Sequence, residues 1–357
     1  MAYASRLLKK TTAVMAAGML SMASAWADEA ASNSEALSKP FENADSQDAI
    51  EPLLDQQPVK RTTVDVQMID PSEFKQSVRE NAPRAVERMQ VEDLAAESPF
   101  VLLPHRPNYI MPLSWQARPN NRAIEELVDY YSEGEQEYEG GFDHLEIVMQ
   151  LSIKYIVAED VLTKLDRLEI AYTNKSFWQA YNSDISRPFR ETNHEPELIY
   201  SWLPKVNWLD RASISLNHQS NGQTSSLSRS WNRIEFSGAV VFSHGIWGLT
   251  TWWRIPEESS ADPYDPSDND NPDIEDYLGY GELHYIRNYG RHSIALMARN
   301  NLDFDDNRGA FQMDVTFPLT QRLKWFVHYF NGYGESLIDY NRYQERIGVG
   351  IKLSDWI

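Results

Sequence analysis

Two neighbouring stretches of this chain alternate with a period of two, and the faces they define are chemically opposite. In 210–220, Ala212, Ile214 and Leu216 share one parity, and Ser213, Ser215 and Asn217 share the other. In 228–243, Ile234, Phe236, Val240 and Phe242 are even-numbered, whereas Arg233, Glu235 and Ser237 are odd. Side chains along a strand point to opposite faces in turn. Such spacing also suits a soluble β-sandwich, but a charged interior is wrong for a sandwich core. It is normal for a membrane barrel, whose apolar face meets lipid and whose polar face lines the lumen. The even face is therefore assigned to lipid.

The same rhythm recurs from about residue 107 onward. Twelve alternating segments are predicted, near 107–116, 143–156, 166–180, 197–205, 210–220, 228–243, 245–255, 276–287, 291–301, 308–317, 322–331 and 343–355. Long polar connections (117–142, 181–196, 256–275, 332–342) contrast with tight ones at Ser243-His244 and Leu319-Thr320-Gln321. An even strand count with short turns at one end and long loops at the other fits an outer-membrane barrel, the short turns being periplasmic. After the N-terminal region no run approaches the roughly 18 to 20 apolar residues that a spanning helix needs. The 11 Trp and 18 Tyr are the excess that interface girdles produce. The predicted fold is all-β: a twelve-stranded antiparallel transmembrane β-barrel over 99–357.

The N-terminus reads differently. Arg6, Lys9 and Lys10 precede a small, apolar run from Thr11 to Ala25, and Ala25-Trp26-Ala27 gives a signal-peptidase pattern. Residues 1–27 are thus expected to be a signal peptide; the competing reading is a lone membrane anchor. Residues 28–98 are acidic and poor in aromatics, and are expected to be a largely disordered or partly helical spacer. A helix is predicted within it, with Asp70 as cap, Pro71 in the first turn, Glu73 to Glu97 as its body and a break at Pro83. Cysteine is absent, which excludes disulfides and thiolate metal sites. A formal charge of −20 disfavours nucleic acid and favours divalent cations as partners.

The lipid-facing parity leads to the chemistry. The row Ala212, Ile214, Leu216 runs on into His218 and Ser220, and the row Phe236, Ile234 runs back into Asn232, Ser230 and Ser228. The bland explanation is that both rows have left the membrane, where polar groups cost little. A Ser hydroxyl, however, becomes a nucleophile when an imidazole takes its proton, and that imidazole needs an acceptor to fix its tautomer. His218 and Ser220 are same-face neighbours two residues apart. Asn232 supplies an orienting oxygen, but being neutral it supports an imidazolium less than Asp would. The surrounding His-Gln-Ser-Asn-Gly is not a G-x-S-x-G elbow, so an α/β-hydrolase is not indicated.

Three blocks carry a family resemblance: Ser186 to Asn193; Asn217-His218-Gln219-Ser220-Asn221-Gly222 with Ser228 to Arg233; and Gly332 to Asn341. Over about residues 100 to 357 the chain resembles the outer-membrane phospholipase A family. The resemblance implies a twelve-stranded barrel with a Ser-His-Asn triad on its lipid-facing wall. Ser220 would then be the nucleophile, His218 the base and Asn232 its orienter. It implies a calcium-dependent enzyme of the cell outer membrane that cleaves acyl esters of phospholipids (A1/A2 and lysophospholipase type), with its site toward the outer leaflet. It further implies a homodimer with Ca2+ at the subunit interface, matching Ser186, Gln223, Ser228 and Asp270, and an oxyanion donor at Gly222. Gln223 stands where the family has Arg, a change that a backbone carbonyl ligand survives. Asn174 stands at a dimer-interface position where the family has a longer Gln. Asp270, inside an acidic run, also reads as a solvated loop residue. A passive porin and an inactive structural or adhesion barrel are the competing functions, and neither has a use for a Ser-His pair facing lipid.

Overall fold

The computed structural model describes residues 70, 72, 74–98, 101–122, 125, 141–184, 187–223, 227–257, 269–320 and 322–356. The expected signal peptide and nearly all of 28–73 lie outside them. A two-residue strand, β1 (Leu103–Pro104), precedes the barrel proper. The staves are β2 (Asn108–Gln116), β3 (Leu145–Glu159), β4 (Arg167–Trp178), β5 (Phe189–Trp202), β6 (Arg211–Ser220) and β7 (Ser230–Phe242). They continue as β8 (Gly245–Arg254), β9 (Gly281–Tyr289), β10 (His292–Asn300), β11 (Gly309–Pro318), β12 (Lys324–Gly332) and β13 (Gln344–Ser354). Each pairs antiparallel with the next, and β13 returns to β2. The closed twelve-stranded antiparallel barrel is thus as predicted, and closure leaves no open sheet edge.

Parity holds along the wall. Leu216 and Phe236, diagonal neighbours across β6 and β7, are 47% and 51% exposed, while Asn217, next along β6, is fully buried. The lumen is packed with charge rather than left hollow. Arg346 and Glu146, neither exposed at all, pair at 2.7 Å, and Arg346 also reaches Glu335 at 2.6 Å. Arg190 donates to Glu146 and to Asp339, and Lys352 joins Asp314 at 3.1 Å. Buried charges persist only when paired and hydrogen-bonded, and these are both.

One end carries short turns. Gly245 closes the Ser243-His244 hairpin at a φ of +153°, and a Cβ there would come within 2.5 Å of the Tyr285 ring, so only glycine fits. The other end carries the long loops, two of which meet over the mouth. Leu337 and Tyr340 from 333–343 pack with Trp231, Trp252 and the short helix Ile274–Leu278. Tyr340 donates to Asp273; burial and that carboxylate push its phenol well above the usual value, so it remains a donor.

Two helices, α1 (Gln76–Asn81) and α2 (Pro83–Ala96), sit at the short-turn end. The break falls at Pro83 as predicted, because a ring nitrogen has no hydrogen to continue the first helix. Asp70 does not cap α1: it accepts from Ser72 N at 2.9 Å, and Lys75 occupies the cap position. Within the expected extension, 74–98 is helical, as its partly helical reading has it, and it also packs on the barrel. Phe74, Val78, Ala82 and Val86 pack on Val241, and Glu92 enters the barrel mouth. There it meets Lys154 and Arg167, each at 3.1 Å. A few branched residues and one buried carboxylate suffice for docking, which composition does not reveal.

The strand expectations miss in one place that matters. β5 starts at Phe189, eight residues before the predicted 197, so much of the expected loop 181–196 is wall. Its inward row of Glu191, Asn193 and Glu195 is polar because the lumen is polar. Likewise the predicted strand start at 276 is helix to Leu278, and β9 begins at Gly281.

Candidate active site

The antiparallel register of β6 with β7 sets His218 directly across from Asn232, and Ser220 across from Ser230. All four side chains share the outward parity. His218 Nδ1 lies 2.9 Å from Asn232 Oδ1. The amide cannot be reversed without loss, because Asn232 Nδ2 donates to Glu257 Oε1 at 2.7 Å. Glu257 is in turn held by Arg254 at 3.2 Å. With Oδ1 as acceptor, His218 carries its proton on Nδ1 and presents the lone pair of Nε2. The Ser220 hydroxyl makes no hydrogen bond among the described residues; catalytic contacts of this kind often tighten only around substrate.

The face behind the site is rigid. Gln219 and Trp231, the inward partners in the same register, are joined by a 2.8 Å hydrogen bond from the indole. Trp231 is fully buried, edge-on to Trp252, with the Arg233 guanidinium 3.9 Å from its ring centre. Arg233 is anchored to Glu195 at 3.0 Å. Packing on this inner face fixes the strand pair from which the outward groups project.

Beyond Ser220 the chain turns at Gly222, whose φ of +64° lies in the left-handed region that glycine adopts without strain. Its N–H has no carbonyl partner among the described residues. Asn221 organises this loop, accepting from Gln223 N at 3.2 Å and Arg229 N at 3.0 Å. Ser228 donates to Asp270 at 2.7 Å, and Ser230, which sequence reasoning did not single out, donates to the same oxygen at 3.3 Å. Ser228 and Asp270 are therefore together, with Ser230 added. Gln223 lies on the same loop, and Ser186 lies outside the described residues. Among those residues no group of three or more His, Cys, Asp or Glu gathers as a metal site, but hydroxyl and carboxylate oxygens are the donors a hard cation takes.

Asn174 is on the outward face of β4, where Ser176 donates to its Oδ1 at 3.0 Å. Its Nδ2 is 3.4 Å from Nδ1 of His194, a residue the sequence reading passed over because it placed 194 in a loop. Period-two parity extended back to 189 would have put His194 outward.

A model of the phospholipase A1 family matches residues 85–353. The chain is 32% identical over 265 residues to phospholipase A1 of Klebsiella pneumoniae, covering 72% of this chain and 84% of the relative. Against phospholipase A1 of Escherichia coli K12 it is 31% identical over 265 residues, covering 72% and 83%. Among solved structures it resembles outer membrane phospholipase A from Escherichia coli, with a TM-score of 0.63 and 30% identity over 73% of this chain and 95% of that one. The outer membrane phospholipase of Salmonella typhi, solved as a dimer with bound calcium, gives a TM-score of 0.63 and 30% identity, covering 72% and 94%. Sequence likeness along most of the barrel and a shared fold lead to one conclusion: the chain belongs to the phospholipase A1 family, as an outer-membrane β-barrel that hydrolyses carboxylic esters of phospholipids.

Proposed function

We propose that ester cleavage uses Ser220 as nucleophile, His218 as general base and Asn232 as the group that orients it. The observation that carries this is the 2.9 Å contact between His218 Nδ1 and Asn232 Oδ1, two residues from an outward serine on the same face. Ser220 Oγ attacks the acyl carbonyl carbon as His218 Nε2 takes its proton. The tetrahedral intermediate collapses, the ester C–O bond breaks, and His218 returns the proton to the departing lysophospholipid oxygen. Water then attacks the acyl-Ser220 ester through the same base, releasing the fatty acid. A1, A2 and lysophospholipase cleavage all follow from one acyl-enzyme route.

The site lies at the long-loop end of β6 and β7, and outer-membrane barrels keep their short turns in the periplasm, which supports a site toward the outer leaflet. Lipid reaches it from the side, along the wall. Residues 1–27 serve export as a signal peptide.

The Asp270, Ser228 and Ser230 oxygens, with the Gln223 carbonyl and Ser186, fit Ca2+, and the calcium bound in the Salmonella typhi dimer supports that assignment. Calcium would supply positive charge beside Gly222. The Gly222 N–H faces the carbonyl oxygen as it becomes negative. Calcium held between two subunits makes the active form a homodimer, with Asn174 at the interface. The test is phospholipid hydrolysis by refolded protein, wild type and Ser220→Ala, with calcium and with chelator. Activity of Ser220→Ala equal to wild type would sink the triad, and activity indifferent to chelator would sink the calcium site.

A further inference from the structure

Two histidines flank Ser220, and their hydrogen bonds give them opposite tautomers. His218 is two residues away on the same strand. His194 is directly across on β5, paired with Ser220 in register. Both point outward, and His194, directly opposite, stands at the roughly 4.5–5.5 Å separation of facing Cβ atoms.

His218 presents its Nδ1 to an acceptor, Asn232 Oδ1, so its Nε2 is a lone pair. His194 presents its Nδ1 to donors. The Tyr172 hydroxyl lies 2.6 Å from it and Asn174 Nδ2 lies 3.4 Å from it. Ser176 donates to Asn174 Oδ1 at 3.0 Å, which turns the amide nitrogen toward the ring, and Thr192 steadies Ser176 at 3.2 Å. An amide nitrogen has only hydrogens to offer, so His194 Nδ1 accepts and the proton of the neutral ring sits on Nε2. A base is poised on one side of Ser220 and a donor on the other.

The donor edge faces the turn after the nucleophile. A Cβ built on Gly222 would lie 3.8 Å from both Nε2 and Cδ2 of His194, in ordinary van der Waals contact. The ring therefore forms the wall beside Gly222, where the acyl oxygen would be held.

We infer that His194 Nε2–H is a second hydrogen-bond donor to the acyl oxygen, acting with Gly222 N–H as a two-donor oxyanion site; this rests on the Ser220–His218–Asn232 reading above. As Ser220 Oγ bonds to the carbonyl carbon, the C=O pair moves onto oxygen, and preorganised donors aimed there stabilise that charge most in the transition state. His194 exchanges no proton in the step. Tyr172 and Asn174 act as positioning residues, each holding the ring with Nε2 outward.

The experiment compares His194→Phe, which keeps a ring without a donor, with His194→Gln, whose amide nitrogen reaches the place of Nε2. Full-length protein is refolded in detergent with calcium, and the folded fraction is measured by heat-modifiable migration. kcat and KM are then measured on a phosphatidylcholine, and affinities on a phosphonate lipid (an oxyanion mimic) and on an ether lipid (no reacting carbonyl). His194→Phe is expected to lose on the order of 100-fold in kcat, the usual cost of one oxyanion donor, with KM nearly unchanged. Phosphonate affinity should fall in parallel while ether-lipid affinity holds, and His194→Gln should recover most of the loss in both. Undiminished kcat in His194→Phe, or a His194→Gln as impaired as His194→Phe, overturns the inference. Ser220→Ala is assayed alongside. Full activity there overturns the triad itself, whereas an inactive Ser220→Ala beside an unimpaired His194→Phe overturns the second donor alone.

Discussion

Glu257 Oε1 accepts a 2.7 Å hydrogen bond from Asn232 Nδ2, so the neutral orienter of His218 has a carboxylate behind it. The negative charge stands one group removed from the imidazole and holds the amide with its oxygen toward the ring. Replacing Glu257 by Ala removes both effects, and by Gln removes the charge. Losing one hydrogen bond to a charged group, worth roughly 1.5 kcal/mol, corresponds to about a tenfold lower kcat. The measurement is steady-state turnover with KM followed in parallel. Wild-type kcat in Glu257→Ala would show that the carboxylate does not act on the triad.

Ser220→Ala is expected to abolish hydrolysis and sulfonyl fluoride labelling while leaving the barrel folded. Asn232→Ala should be milder, because the transfer from Ser220 to His218 survives the loss of orientation. A double variant no worse than Ser220→Ala is the expected outcome for groups acting as a unit. Labelling retained in Ser220→Ala would point to another nucleophile.

Dimerisation gives a third prediction. If calcium joins two subunits, specific activity should fall on dilution in detergent at fixed calcium, and chelator should abolish it at all concentrations. Asn174→Gln should tighten association in sedimentation by lengthening the interfacial amide. The same substitution should lower turnover per dimer, since Asn174 lies 3.4 Å from His194 Nδ1 in this chain. Activity flat on dilution into the monomer range removes the dimer requirement.

The docked helix α2 should respond to acid in a defined direction. Burial raises the Glu92 carboxyl, but Lys154, Arg211, Arg88 and Arg167 outweigh it and hold the group well below the ordinary carboxylate range. A depressed folded value stabilises the docked state at pH above the unfolded value of 4.5, and the stabilisation is lost as pH falls toward the folded one. Neutral pH should therefore leave the helix docked and strong acid should release it, as read by proteolysis of 74–98. Glu92→Gln should cost about 3 kcal/mol, the low end for opening a buried ion pair, because Lys154 keeps Glu169 as a partner. Release of wild-type helix already at pH 6 would contradict this.

Much of this was legible in the residues. Parity in 210–220 and 228–243 gave the wall, the lipid face and the grouping of His218, Ser220 and Asn232, because strand geometry converts spacing directly into facing. β5 was not legible at its start. Glu191, Asn193 and Glu195 face a polar lumen, so the stretch looked like a polar connection. His194 was lost with it. Glu257, and the Asp270 that Ser230 meets, depend on where loops fold back, which no local period encodes. Asp270 came only through resemblance, since an acidic run also suits a solvated loop.

The ion pairs across the barrel have a consequence for the wall. Around Arg346, Glu146 and Arg190 the lumen holds ion-paired side chains that are almost wholly buried. The wall is the working surface and the bore is ballast. Substrate handling then belongs to the outer surface, and changes to the wall can be made without disturbing the charge packed inside.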